Sequence, residues 1–259
     1  MARSTEATPE RDERAGATRA SRPPLTRERI LLAARDLADR EGLAALTMRR
    51  LGAELGVEAM SLYGHVRGKD DVLDGLVDVV VGDWADPLPG SDDWAAVVRA
   101  TMSVAHEVLL ARPWACELIA ARPAVGRNRL RFAESLQARM LGAGFSPQLA
   151  RHSLHIIDGT ITGFTLQELR RATLTQMGEE VAAVARGERR DEYPAITAVI
   201  ADADHDHAAE FALMTDLVVD GLESMRRREA TARSTDPRRA AGADAPISPK
   251  CLRSAREGR

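Results

Sequence analysis

Apolar residues recur three or four positions apart through most of this chain, and this spacing limits the possible fold more than any other feature. A period of 3.6 residues is that of an α-helix, whereas a strand would alternate apolar and polar residues. Proline and glycine interrupt the period at residues 87–90, 113, 123–126, 142–144 and 194. No convincing alternating segment is present, and we therefore predict an all-α fold.

The pattern predicts a series of helices separated by these breaks. Thr26 and Thr47 are suitable N-cap residues for the first two, which Gly42 and Gly56 would end. A third, short helix is expected from about Ala59 to His65, and a longer one follows Gly68. The remaining predicted helices cover residues 94–110, 114–121, 127–141, 147–170, 176–186 and 208–228.

Composition divides the chain into four parts. Residues 1–24 and 229–259 are polar, without an apolar period, and we expect a disordered arm and a disordered basic tail. Residues 25–70 would form a three-helix helix-turn-helix domain. Residues 71–228 would form a larger helical domain for ligand binding and dimerisation.

Several functional classes lack support in the sequence. There is no signal-peptide core and no run of about 18 apolar residues, so a cytoplasmic protein without a membrane span is expected. The two cysteines are far apart and form no zinc pattern. The sequence contains no GxSxG, HExxH, P-loop or GxGxxG motif. The acidic, histidine-containing stretch at 202–207 is interpreted as a solvated loop. We therefore expect no enzyme activity, metal site or cofactor.

Residues 46–69, LTMRRLGAELGVEAMSLYGHVRGK, are the most informative segment. Two short helices joined through Gly56 cannot bury a core alone, so they must pack on the first helix as a helix-turn-helix. Although the whole chain has a net charge of -3, residues 22–69 hold nine Arg or Lys against six Asp or Glu. This local excess of positive charge favours a nucleic-acid partner.

The third helix would bury Leu62 and Val66 and turn its other side chains outward. Aromatic rings with polar tips suit phosphate oxygens or base edges, and a cation at the start of the next helix suits a phosphate. The predicted DNA contacts are Thr47, Arg49, Arg50, Ala59, Met60, Ser61, Tyr63, His65 and Lys69. The partner would be a double-stranded DNA operator.

The block GLAALTMRRLGAELGVEAMSLYGHVRGKDDVLDGLVD resembles the DNA-binding domain of the tetracycline-repressor (TetR) family. A looser similarity continues through the Trp94 region, residues 121–123 and 144–168, and the final helix. The resemblance implies a transcriptional regulator, more commonly a repressor. It also implies that Thr47, Arg49, Ser61, Tyr63, His65 and Lys69 occupy DNA-contacting positions, with Arg49 as a base-reading arginine.

Two departures from the tetracycline repressor itself alter these expectations. Met48, Ala59 and Met60 stand at positions that are polar or proline there. Because apolar side chains can touch a thymine methyl but cannot form bidentate hydrogen bonds to a base, we expect a different operator. Leu118 stands where that repressor has a metal-binding histidine. Since leucine cannot ligate Mg²⁺, magnesium-tetracycline is not the expected inducer.

Two helices are candidates for a homodimer interface. The segment 208–228 has apolar residues on two edges, the second formed by Leu213 and Leu217, so it requires two partners. In the segment 147–170, Gly159 and Gly163 share a face and permit close backbone approach. The family resemblance implies a four-helix bundle made from these helices and their symmetry mates. The alternative is a monomeric helical core.

A small-molecule inducer would occupy the C-terminal domain, although the sequence does not identify it. The candidates are larger or polar side chains on otherwise apolar faces, because buried polar groups need partners. They are His106, Trp114, His155, Phe164 and Gln167. The alternative for each of them is a place in the core. The alternative function is a helical interaction or ligand-binding protein without sequence-specific DNA binding, which would leave Tyr63, His65 and Lys69 unused.

Overall fold

The structure, a computed structural model, describes residues 23–122, 125–173, 183–184, 186–201 and 206–235. Regular secondary structure in these ranges is entirely helical, which confirms the all-α prediction. The α-helices are α1 (Arg27–Glu41), α2 (Met48–Leu55), α3 (Ala59–Leu62), α4 (Lys69–Gly82), α5 (Trp94–Ala111), α6 (Pro113–Ala121), α7 (Arg127–Gly142), α8 (Pro147–Thr173), α9 (Pro194–Ala201) and α10 (His207–Thr235).

Helices α1 and α2 begin at the threonine caps expected from the sequence. The Thr26 hydroxyl accepts the backbone N–H of Arg29 at 3.2 Å, and the Thr47 hydroxyl accepts that of Arg50 at 3.1 Å. Gly56 ends α2 in the left-handed conformation, at φ 65° and ψ 35°. An L side chain is unfavourable there, so this glycine sets the turn between α2 and α3.

The α2–α3 crossing depends on a second glycine that the sequence did not single out. A Cβ atom added at Gly52 would lie 2.9 Å from the carbonyl oxygen of Val57 and 3.1 Å from the backbone nitrogen of Ala59. Both neighbours are backbone atoms, which cannot rotate away. The absence of a side chain at Gly52 therefore lets α3 pack closely across α2.

Helix α4 belongs to both domains. It packs on α1 at one end and on α6 and α7 elsewhere. Gly75 of α4 lies directly under Leu31 of α1. The Arg27 guanidinium donates to both carboxylate oxygens of Asp71 at 2.8 Å. These hydrogen bonds outweigh the effect of burial and lower the pKa of Asp71 to about 2, so the pair is charged at neutral pH.

The C-terminal domain is built around α5, which packs against α6, α7, α8 and α10. By length and composition alone, the 18-residue helix α5 could cross a membrane. Its apolar face, including Val98, Met102 and Leu109, is buried in the core. The burial accounts for the apolar composition of α5 as that of a core helix.

Side chains before and within α6 connect this domain to α1 and α4. The Trp114 indole N–H donates to Asp39 of α1 at 2.8 Å. Arg112 reaches the same carboxylate at 3.2 Å and Asp83, at the end of α4, at 3.1 Å. Arg122 donates to Asp74 of α4 at 2.6 Å. The relative position of the two domains is therefore fixed by directional contacts as well as by apolar packing.

Two predicted helix ends are wrong, and one helix was not predicted. Helix α3 ends at Leu62, and Tyr63 and His65 lie in the turn that follows it. Helix α9 begins at Pro194, where the sequence predicted a break. Proline is tolerated at this position because the first turn of a helix does not use the backbone N–H that proline lacks. Helix α10 continues to Thr235, into the expected tail. Arg226 and Arg233 hold it by donating to the carbonyls of Ala143 and Gly144 at the α7–α8 turn.

Some predictions fall outside the described residues. They concern the arm up to residue 22, most of the helix expected at 176–186, residues 202–205 of the acidic stretch, and the tail beyond residue 235.

We predict that Gly52→Val destabilises the protein by about 1–3 kcal/mol, because the new side chain has to displace backbone at the α2–α3 crossing. Thermal and urea unfolding would measure the change. Gly142→Ala is the matched control, since a Cβ at this helical glycine meets nothing within 4 Å. The control should be neutral or stabilise by up to about 1 kcal/mol. Equal stability of the Gly52→Val variant and the wild type would contradict this role.

Candidate DNA-binding surface and inner cavity

The exposed side of α3 and the turn after it form a continuous surface. Leu62 and Val66 are buried and hold this segment on the core, as the sequence predicted. The side chains of Met60, Ser61, Tyr63 and His65 are exposed, with Met60 at 75%. Ala59 is half-buried beside α2. The expected outward orientation is confirmed for the four exposed residues, and their contact with DNA remains a prediction.

The two arginines at the start of α2 differ in their surroundings. Arg50 donates to Glu41 at 2.6 Å, which turns its guanidinium towards the end of α1. Arg49 is exposed and makes no hydrogen bond or ion pair with any described residue. Exposed ion pairs contribute little free energy, so Arg50 can exchange Glu41 for a phosphate. Arg49 can meet a base or a phosphate without breaking an existing contact.

A second basic segment lies where α4 begins. Lys69 is the first residue of α4 and is exposed, and no side chain caps the helix at Gly68. The side chain of Arg67, two residues earlier, is 90% exposed. Its guanidinium makes a long ion pair with Asp71, at 3.8 Å. Arg67 was absent from the predicted contacts. Its spacing from His65 and Lys69, two residues each way, could have identified it.

The C-terminal domain contains a cavity of about 460 Å³ between α5, α8 and α10. Its lining includes Arg99, His106, Glu107, Glu168, Phe211 and Asp216. His106 is buried, stacks on the Phe211 ring at 3.9 Å and meets Phe164 edge-on at 5.8 Å. Pockets of this size with a few polar groups on aromatic walls are typical of sites for small organic ligands.

The structure separates the predicted ligand contacts into two groups. It brings His106 to the cavity and Phe164 next to it. His155 and Gln167 are exposed on α8, so the expectation that they lie on a buried face is wrong. Trp114 faces Asp39 of α1 instead of the cavity. Glu168 and Phe211 line the cavity but were not proposed, because nothing local in the sequence shows which neighbours a helix residue will face.

Two segments of the chain match the models of known protein domains. Residues 30–76 match the model of bacterial regulatory proteins of the tetR family. Residues 86–226, more than half of the chain, match the model of the tetracyclin repressor-like C-terminal domain.

The chain belongs to the TetR family. The HTH-type transcriptional repressor DrrR1 of Streptomyces coeruleorubidus is 30% identical over 235 residues, which cover 82% of this chain and 84% of that protein. An HTH-type transcriptional regulator of Saccharopolyspora erythraea is 41% identical over 125 residues, 48% of this chain and about half (53%) of that protein.

A solved structure extends the similarity to the whole fold. The TetR family protein ActR of Streptomyces coelicolor, in complex with actinorhodin, is 26% identical with a TM-score of 0.67. The match covers 78% of this chain and 96% of that one. Membership of the family makes the chain a DNA-binding transcriptional regulator, not an enzyme.

Leu118 stands at the position for which the family resemblance led us to consider a metal ligand. Leu118 is buried in the C-terminal core. Within the ranges that the structure describes, no three His, Cys, Asp or Glu side chains are grouped as metal ligands.

We predict that Lys69→Ala weakens binding to any duplex DNA and lowers its salt dependence, because one phosphate contact per subunit is lost. The slope of log K against log salt should fall by about 0.9 per bound subunit. Fluorescence anisotropy on a random duplex at several salt concentrations would measure it. Arg131→Ala removes the same charge from the exposed face of α7 and should keep the wild-type slope. A wild-type slope for Lys69→Ala would rule out the contact.

Proposed function

We propose that this TetR protein is a ligand-responsive repressor that binds a palindromic operator as a homodimer and is released by a small molecule. The proposal is supported by the presence of two separate sites, a surface and a cavity, in one chain. An exposed recognition surface containing the unpaired Arg49 is joined through α4 to a domain with an inner cavity. As a bacterial DNA-binding regulator, it would act in the cytoplasm.

Helices α8 and α10 support the dimer. Both are long, with 27 and 29 residues, and α10 has exposed apolar side chains. Leu213 and Leu217 of α10 are 63% and 64% exposed. On α8, Cβ atoms at Gly159 and Gly163 would meet nothing within 4 Å. Two such helices from each subunit would form a four-helix interface, with the glycines allowing close approach.

A two-fold dimer would present two copies of α3 to one side of the DNA. The two half-sites would then be related by symmetry and separated by about 34 Å, one turn of B-DNA, or a multiple of it. Exposed Met60 favours thymine methyl groups, and Arg49 favours guanine. We therefore propose an operator that differs from that of the tetracycline repressor.

Release of DNA would use the contacts between the domains. A ligand in the cavity touches α5, α8 and α10, and α5 continues directly into α6. Side chains at the start of α6 hold Asp39 of α1 and Asp83 of α4. A ligand that favours a displaced α6 would move α4 and misplace α3. A coupling of about 1–3 kcal/mol would reduce operator affinity about 5- to 150-fold.

The named relatives support this proposal. DrrR1 is described as a repressor, and ActR is known in complex with the small molecule actinorhodin. The similarity covers both domains of this chain, so the same division between DNA binding and ligand binding is expected here.

We predict that the double variant Leu213→Glu/Leu217→Glu is monomeric with unchanged helical content, because both side chains are exposed in the subunit and would be buried only in the dimer. Sedimentation equilibrium and circular dichroism would measure both properties. Leu130→Glu is the control, since Leu130 is 60% exposed on α7, outside the proposed interface. A dimeric double variant would place the interface elsewhere.

The whole function is tested by selecting duplexes from a random library with the full-length protein. We expect one enriched motif with two inverted half-sites, bound by one dimer, and Arg49→Ala should relax the preference at one position in each half-site. Enrichment of no motif would support a helical ligand-binding protein without sequence-specific recognition. A motif without symmetry would contradict the dimeric mode.

A further inference from the structure

His106 and its neighbours determine where hydrogens lie in the cavity. The Thr165 hydroxyl oxygen is 2.7 Å from the carbonyl oxygen of Ile161 and 2.8 Å from Nδ1 of His106. A carbonyl oxygen can only accept, so the single hydroxyl hydrogen of Thr165 is donated to Ile161. Nδ1 of His106 must then carry the hydrogen that it donates to Thr165. In the neutral ring, Nε2 is left as an acceptor.

The other side of the ring meets a second acceptor. Oε2 of Glu168 is 3.2 Å from Nε2 of His106. This carboxylate oxygen is buried and receives no hydrogen bond from any described residue, because the contact is not aligned as one. The Glu168 side chain as a whole is 17% exposed and borders the cavity. Two acceptors thus lie within hydrogen-bond distance of each other without a hydrogen bond between them.

A proton on Nε2 would relieve this contact, but burial opposes it. Desolvation lowers the pKa of His106 below its ordinary value, against the opposing charges of Glu168 and Glu107. The ring is therefore mainly neutral near pH 7. The missing donor has to come from outside the protein.

The charges around the cavity select the kind of donor. Arg99 is already paired with Asp216 at 2.9 Å and lies 4.0 Å from Asp220. Glu107 is exposed and accepts a hydrogen bond from the Ser103 hydroxyl at 3.3 Å. Neither its carboxylate nor that of Glu168 has an arginine or lysine partner among the described side chains. Excess negative charge in a partly buried cavity favours a cation. The stacked rings of His106 and Phe211 also line the cavity, so an aromatic body can contact them.

We propose that this cavity takes an organic cation with a primary or secondary ammonium group on a flat apolar body. One N–H of the ammonium donates to Oε2 of Glu168 and a second to Nε2 of His106. The cavity of about 460 Å³ accommodates a ligand of drug-like size. The inference rests on the proposed function in taking this cavity as the effector site, and it adds the chemical class of the effector.

The probes for the test are four compounds that share one aromatic body: 1-naphthylmethylamine, its N,N,N-trimethyl derivative, 1-naphthylmethanol and 1-naphthoate. Isothermal titration with the full-length protein should show the amine binding more tightly than the other three. The trimethyl compound keeps the charge but has no N–H, so it separates hydrogen bonding from electrostatic attraction. An amine that binds no better than its alcohol and trimethyl analogues would overturn the inference.

Glu168→Gln tests the same site within the protein. The variant should bind the amine about tenfold to a hundredfold more weakly, as expected for loss of a charged hydrogen-bond partner. Glu117→Gln is the control, because it removes an equal charge from the exposed face of α6 and should bind like the wild type. Equal amine affinity of Glu168→Gln and the wild type would place the amine elsewhere.

A measurement without ligand provides an independent check. The amide of Glu168→Gln can donate to Nε2 of His106, so the ligand-free variant should melt about 2–4 °C higher than the wild type. Glu117→Gln should not shift the melting temperature. A lower melting temperature for Glu168→Gln would contradict the acceptor–acceptor contact. Amine binding at this site without any change in operator affinity would instead contradict the proposed release mechanism and leave the ligand class supported.

Discussion

The packing of α4 against two different partners is the constraint on which the rest of the structure depends. Near its middle it fits closely under Leu31 of α1, because Gly75 has no side chain. The Arg27–Asp71 pair fixes the direction of this contact. Further along, α4 packs on α6 and α7 of the other domain. One helix therefore contacts both domains, as the proposed release mechanism requires.

The proposed ligand class depends on one buried polar group, His106. A fully satisfied histidine would only stabilise the core, but His106 is satisfied on one edge and faces a carboxylate on the other. Such an arrangement costs free energy in the empty protein, because buried acceptors lose water without gaining a donor. A ligand that supplies the donor recovers this cost on binding. The unfavourable contact thereby contributes to specificity.

Sequence patterns predicted the local features accurately and the long-range ones poorly. The caps at Thr26 and Thr47 follow from hydrogen bonds that span three residues, and the structure contains both. Exposure of Tyr63 and His65 followed from the burial of Leu62 and Val66 nearby. By contrast, His155 was placed on a buried face, although it lies on the outer side of α8. A helical period identifies faces, but it cannot identify the face that the subunit leaves open.

The sequence by itself determined the helical class, the helix-turn-helix and most of its outward surface, because these depend on residues within one or two helical turns of each other. Only the tertiary structure decided that Trp114 meets Asp39 across 75 positions and that His106 meets Thr165 across 59. It also decided that Gly52 must lack a side chain. Such contacts depend on how whole helices are oriented, and that orientation results from packing the entire core at once.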